Sequence, residues 1–233
     1  MLYFLSISTH GFCGRGFHQF GKERSAQLKF VCSDMWAPYL KVVAKKAPQA
    51  LNILDRFHVM RKFNVAIDEI RRDEVRQLKA NKQDNVLERG RWLLLKRPEN
   101  LSEKQTARLD ELLKLNLGAI KGYLLREDFQ RFWSYQRHDF AGKFLDNWTT
   151  RTMQTNLGPM KKVATMLRKH KPMILNWFKA KGELSSGAVE GLNLKAKLTM
   201  RKAYGFKTLK CLEIALYHEL GKLPEPDCQH RFC

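Results

Sequence analysis

The sequence predicts an α/β fold: a small parallel sheet joined to a large helical block. Two short apolar runs, Leu28-Lys29-Phe30-Val31-Cys32-Ser33 and Leu51-Asn52-Ile53-Leu54, each end in an aspartate, Asp34 and Asp55. Residues 37–47 between them read as a helix closed by Pro48. Strand, helix, strand is the unit of a parallel sheet, because parallel strands need a long crossover. The third observation is the stretch 59–181, where apolar residues recur at helical spacing.

Along the chain, residues 2–8 form a candidate strand, and Gly11, Gly14 and Gly16 interrupt the pattern after it. Gly14-x-Gly16 is no dinucleotide fingerprint, since no third glycine or helix start is in register. Residues 17–25 read as a short helix. Phe63, Ile67 and Ile70 then lie at i, i+4, i+7, with Lys62, Arg71, Arg72 and Lys79 elsewhere on that helix. Residues 82–98 are charged around the apolar patch Trp92 to Leu95. Ser102-x-x-Gln105 is a capping box before Leu109, Leu112 and Leu113. Further helices carry Ile120, Tyr123, Leu124, Phe132 and Trp133, then Phe144, Leu145 and Trp148, then Met160, Val163 and Leu167, then Ile174, Trp177 and Phe178. Gly182-Glu183-Leu184-Ser185-Ser186-Gly187 breaks the pattern. A basic helix over 189–202, a turn at 203–206 and an amphipathic helix over 207–220 close the chain. A helical block between βα units and closing helices reads as an insertion inside an α/β domain. The expected parts are a βαβ core at 1–58, the insertion at 59–184, closing helices at 185–221 and a tail at 222–233.

The 233 residues carry 43 Lys and Arg against 23 Asp and Glu, a net charge of +20. Such a charge calls for a polyanion, nucleic acid first and an anionic membrane surface second. There is no apolar run of the ~18 residues a membrane span requires. The apolar start lacks a basic n-region and a small-residue cleavage pattern, so a signal peptide is rejected. Five scattered cysteines, an odd count, point to reduced thiols and a cytosolic setting. Cys228-x-His230-x-x-Cys233 has the residue types of a zinc site, but an irregular tail after Pro224-Glu225-Pro226 is the preferred reading.

Acids at the C-terminal ends of parallel strands sit where open α/β sheets place ligands. On a basic chain they suggest a metal site acting on phosphate. Spacing alone leaves Asp34 even between metal ligand and helix N-cap for Met35 onward. Asp55-x-x-His58 could bind metal or lock a loop, and the cap reading of Asp55 is preferred. Glu190 opens the basic helix, where the helix dipole alone would favour an acid. Lys195, Lys197, Arg201, Lys202, Lys207 and Lys210 come after it with no acid until Glu213, interleaved with Tyr204 and Phe206. A one-signed run with aromatics points to nucleic-acid contact. Gly-x-x-x-x-Gly-Lys-Ser/Thr, Gly-x-Ser-x-Gly and His-Glu-x-x-His are all missing.

Val31-Cys32-Ser33-Asp34-Met35-Trp36-Ala37-Pro38-Tyr39, Pro48-x-Ala50 and Asp55-Arg56-Phe57-His58-Val59 resemble a block of the bacterial insertion-sequence DDE transposases of the ISL-three family. Ser185-Ser186-Gly187-Ala188-Val189-Glu190-Gly191-Leu192-Asn193 with Arg201-x-Ala203-Tyr204-Gly205-Phe206 resembles the family's second block. Leu223-Pro224-Glu225-Pro226 and His230-Arg231-Phe232-Cys233 are similar to family C-termini. The resemblance covers residue 14 to the end.

The resemblance implies an RNase H-like catalytic core with an all-α insertion before the last acid. It implies DNA as partner, transposition by strand cleavage and transfer, and two divalent ions, Mg²⁺ or Mn²⁺, held by Asp, Asp and Glu. Asp34 matches the second acid and Glu190 the third, both catalytic and metal-binding. Asp55, His58 and Asn193 fall in supporting positions. Lys195, Lys197, Arg201, Lys202, Tyr204 and Lys207 are the expected DNA contacts. A bacterial, cytoplasmic, nucleoid-associated protein is implied, with homo-oligomerisation left open. One departure stands out: residues 1–33 contain no Asp, and Glu23 lies in the helix before the Asp34 strand. The expectation is therefore a C-terminal transposase part from a truncated or frameshifted gene, with early strands missing and no activity alone. The rivals are a non-catalytic DNA-binding remnant that associates with DNA or a full-length transposase, and an RNA-binding helical protein. On the catalytic reading, the Asp34 and Glu190 carboxylates lie roughly 4–8 Å apart.

Overall fold

A computed structural model describes residues 4–6, 21–88 and 90–180, with positions 198, 199, 201, 208, 210, 211, 214 and 215. The chain divides into two compact units, Met1–Ser185 and Ser186–Cys233.

The first unit holds a sheet of three parallel strands in the order β1 (Phe4–Ser6), β2 (Phe30–Ser33), β3 (Leu51–Leu54). Phe4 aligns with Phe30, and Phe30 with Leu51. Val31, Cys32, Ile53 and Leu54 are all buried. Consecutive buried residues are the mark of a parallel strand covered on both faces. The strand expected at 2–8 is described over Phe4–Ser6 as β1, and residues 2, 3, 7 and 8 lie outside the described residues. The helix expected at 17–25 is described as α1 (Lys22–Ala26), and residues 17–20 lie outside the described residues.

The crossover is α2 (Ala37–Lys46), which buries Tyr39 and Val43. These pack with Leu28, Val31 and Ala47 in a small core of their own. The helix starts at Ala37 as expected, with Trp36 as its N-cap residue, so Asp34 does not cap a helix from Met35. The reason is Pro38. Proline has no N–H to give and is tolerated only in a first turn. A helix beginning at Met35 would need that N–H.

Asp55 then caps α3 (Arg56–Ala80), which buries Val59, Phe63, Ala66, Ile67 and Ile70 along one stripe. Its 25 residues span roughly 37 Å at 1.5 Å rise per residue, and three of the following helices, 91–95, 118–130 and 158–169, pack directly on it. The helices that follow are α4 (Arg91–Leu95), α5 (Glu103–Leu113), α6 (Gly118–Gln130), α7 (His138–Met153), α8 (Gly158–Lys169) and α9 (Lys171–Lys179). The capping box forms as expected: Gln105 N donates to Ser102 Oγ, and Ser102 N to Gln105 Oε1. Phe132 and Trp133 lie on a separate 3-10 turn, Arg131–Ser134, not on α6.

The centre of the block is aromatic. The Phe129 ring lies 4.7 Å from Phe63, 5.0 Å from Trp148 and 5.2 Å from Phe132, centroid to centroid. Trp148 satisfies its buried indole N–H on the Leu125 carbonyl at 3.0 Å. Leu124, expected with this core, is 50% exposed. A methyl group at Gly122 would stand 3.4 Å from Ile70 and 3.6 Å from Ile67 of α3, in ordinary contact with them. The helices therefore approach on the Gly122 side, and Leu124 turns to solvent.

Ile53 and Leu54 belong to the same buried cluster as the helical block. The side chain of Asn176 on α9 donates to the Asn52 carbonyl of β3 at 2.7 Å. Arg126 is a buried cation of this unit. Arg126 donates to Asn64, to the carbonyls of Leu95 and Lys96, and to Glu127, so its charge is paired and hydrogen-bonded. In the second unit the described positions 198, 199, 201, 210, 211, 214 and 215 are helical. No helix among the described residues is long and apolar enough to cross a membrane.

Candidate active site

The two aspartates do lie at the C-terminal ends of adjacent parallel strands, β2 and β3. Their surroundings differ. Asp34 is partly buried, and its Oδ1 accepts from Trp36 N at 3.0 Å. That local turn fixes the carboxylate without placing it in a helix. Asp55 is only 1% exposed. Its Oδ1 accepts from Phe57 N at 3.1 Å as the cap of α3, and its Oδ2 lies 3.9 Å from His58 Nε2. Asp55 thus holds the helix start and faces the imidazole from behind.

Asp34 lines an open groove of about 480 Å³ with Met35, Trp36, His58, Arg61, Lys62 and Val65. The groove joins the end of β2 to the first turns of α3. Arg61 and Lys62 are exposed and bring two fixed cations to the carboxylate's side. Sequence reading places Lys62 simply on the surface and passes over Arg61. The signal is there: His58, Arg61, Lys62 and Val65 are i, i+3, i+4, i+7 on one helix face. Ser33 and Asn52 are passed over as well. Ser33 Oγ donates to Asn52 Oδ1 at 2.7 Å, tying together the strands that carry Asp34 and Asp55. Beside the site, Arg56 stacks over Trp133 at 5.4 Å. Burial and the neighbouring Arg97 push its guanidinium pKa below the ordinary value.

Glu190, Asn193, Lys195, Lys197, Lys202, Tyr204 and Lys207 lie outside the described residues. Arg201 is helical and exposed in the second unit. Among the described residues no group of three or more His, Cys, Asp or Glu could hold a metal ion. Asp34 has the hard oxygen a magnesium-like ion prefers. One such carboxylate is too small a donor set for two divalent ions, so the described residues alone do not fit them.

Comparison with known proteins decides the family. Residues 12–216 match the family profile described as transposase, DDE type, ISL3 group. The chain belongs to the ISL3 family of insertion-sequence transposases. It is 32% identical over 193 residues to the transposase for insertion sequence element IS1001 of Bordetella parapertussis, covering 82% of this chain and 47% of that protein. It is 26% identical over 221 residues to the transposase for IS1557 of Mycobacterium tuberculosis, covering 85% of this chain and 49% of that protein. The chain thus spans about half the length of these curated relatives. No solved structure matches it. In an ISL3 transposase, a strand-end aspartate beside basic side chains belongs to a family that generally uses divalent metal ions.

Proposed function

We propose that this chain contributes two of the acids of a DNA transposition site, Asp34 and Glu190. Residues 1–58 and 185–221 are read as parts of an RNase H-like core, residues 59–184 as its helical insertion and 222–233 as a tail. The observation that carries the reading is Asp34 itself, fixed at the end of β2 in a groove with His58, Arg61 and Lys62. Asp55 and His58 act as supports, and Asn193 joins them in the second block. Bound Mg²⁺ or Mn²⁺ would supply Lewis-acid activation of water and of the phosphate. The chain's own residues do the rest. Asp34 and Glu190 offer carboxylate oxygens. Arg61 and Lys62 draw the phosphodiester toward Asp34. Lys195, Lys197, Arg201, Lys202, Tyr204 and Lys207 hold the DNA backbone.

The 233 residues supply this set one acid short, because no Asp occurs in residues 1–33. We read these 233 residues, assayed alone, as inactive in strand transfer. This same shortage supports a second reading, a non-catalytic DNA-binding remnant that associates with DNA or with a full-length transposase.

Two measurements test these readings. Fe²⁺ in place of Mg²⁺, supplied with hydrogen peroxide and ascorbate, generates hydroxyl radicals that cut the polypeptide backbone beside a bound ion. Cuts near Asp34 and Glu190 that vanish in Asp34→Asn are expected, and cuts unchanged in that variant refute the acid assignment. Incubation of the purified chain with element-end DNA and Mg²⁺ or Mn²⁺ should give no cleavage. Nicking that disappears in Asp34→Ala would overturn the inactivity and direct attention to another acid, Glu23 for instance.

A further inference from the structure

A separate face of the helical block carries an exposed phenylalanine, Phe140, beside Tyr135 and Phe144, which pack partly against the core. The 3-10 turn Arg131–Ser134 and helix α7 border an open groove of about 680 Å³. Pockets that take small organic ligands fall within roughly 300–1,000 Å³. Tyr135, Phe140 and Phe144 line it together with Arg131, Lys143 and Arg151. Phe140 is 50% exposed, in the first turn of a helix whose core side is Ala141, Leu145, Trp148 and Thr152. The Arg137 guanidinium lies 5.0 Å from its ring centre.

The charge is one-sided. Arg131 and Arg151 share a single carboxylate, Asp128, at 3.5 and 2.6 Å. Lys143 adds a third cation and no second acid lines the groove. Flat apolar rings between cations match a ligand with flat apolar faces on an anionic chain. In duplex DNA those faces are stacked away, and only unpaired bases present them. The amides of Asn147 and Gln154, also in the lining, can meet the polar edges of such bases.

We infer that this groove holds an unpaired segment of DNA, with bases on Phe140 and Tyr135 and phosphates on Arg131, Lys143 and Arg151. The inference rests on the transposition reading for the choice of DNA, and not on Asp34 or Glu190.

The test uses the full 233-residue chain with a 5-iodouracil-substituted single strand, a duplex of equal length and poly-glutamate. Irradiation should crosslink the single strand to the segment containing Tyr135, Phe140 and Phe144. Phe140→Ala should lower single-strand affinity by roughly 5- to 150-fold, the loss of one base stack, and leave duplex affinity and circular dichroism unchanged. Lys143→Glu should weaken the single strand as well. Crosslinks confined to other segments, an unchanged affinity in Phe140→Ala, or equal competition by poly-glutamate would each overturn the inference. The variant lacking Lys195, Lys197, Arg201 and Lys202 separates the two readings. If it loses the duplex and keeps the crosslink, both hold. If the parent chain binds the duplex but gives no crosslink, only the present inference fails.

Discussion

The Ser33 hydroxyl donates to the Asn52 side-chain oxygen across 2.7 Å, and so couples the two strands that end in Asp34 and Asp55. Ser33 itself is buried. Ser33→Ala should leave the Asn52 amide oxygen without its donor, at a cost of about 1–2 kcal/mol. Urea denaturation checks this. A midpoint equal to the parent's would show that water replaces the hydroxyl.

Asp55 offers a sharper case. It caps a 25-residue helix from a nearly solvent-free position. Asp55→Ala removes the acceptor for Phe57 N, and cap losses run at about 0.5–2 kcal/mol. Asp55→Asn keeps an acceptor and should recover most of that loss. If both variants are equally destabilised, the charge beside His58 matters more than the cap.

A second clamp lies inside the helical block. Glu74 on α3 accepts from the backbone N–H groups of Gly118 and Ala119 at the start of α6. A methyl group at Gly118 would stand 3.0 Å from Glu74 Oε1 and 3.1 Å from Leu157. Gly118→Ala should therefore destabilise, although alanine is normally the better helix residue by about 1 kcal/mol. Glu74→Ala should also destabilise, and the two changes should be less than additive because they break one contact. A double-mutant cycle by thermal unfolding reads the coupling directly, and strict additivity would deny it.

DNA binding by the basic run after Glu190 should be salt-dependent. Replacing Lys195, Lys197, Arg201 and Lys202 by Ala should weaken duplex binding and flatten its salt dependence, by a slope of up to ~0.9 per lost phosphate contact. Fluorescence anisotropy across a salt series measures it. An unchanged slope would move the phosphate contacts elsewhere, with Arg61 and Lys62 the next cations to replace.

Legibility tracks the range of the interactions. Phe63, Ile67 and Ile70 are readable because helical period is local, and so are the Ser102–Gln105 box and the Asp55 cap. The start of α2 at residue 37 is readable as well, since the place of Pro38 in a first turn is a local rule. Arg126 cannot be foreseen as a buried cation. Its partners Asn64, Leu95 and Lys96 come from segments tens of residues away. Leu124 is misplaced for a similar reason, because the direction of burial on α6 is set by α3 closing on Gly122. Asp34 stands out through its strand end, whereas the cations beside it require α3 to be seen as one face.

The bond from Asn176 to the Asn52 carbonyl spans 124 positions of sequence. Ribosomes deliver a chain from its N-terminus, so β3 emerges long before α9 exists to cover it. Through that interval the strand behind Asp55 has its neighbour β2 on one side and no α9 on the other. Contacts of such long range are slow to form, and unpartnered strands invite association with other chains. A translational arrest or early stop between residues 55 and 171 would thus release a sheet that cannot finish folding. Expression of such products should yield aggregates, and sedimentation of the truncated chains against the full one measures it.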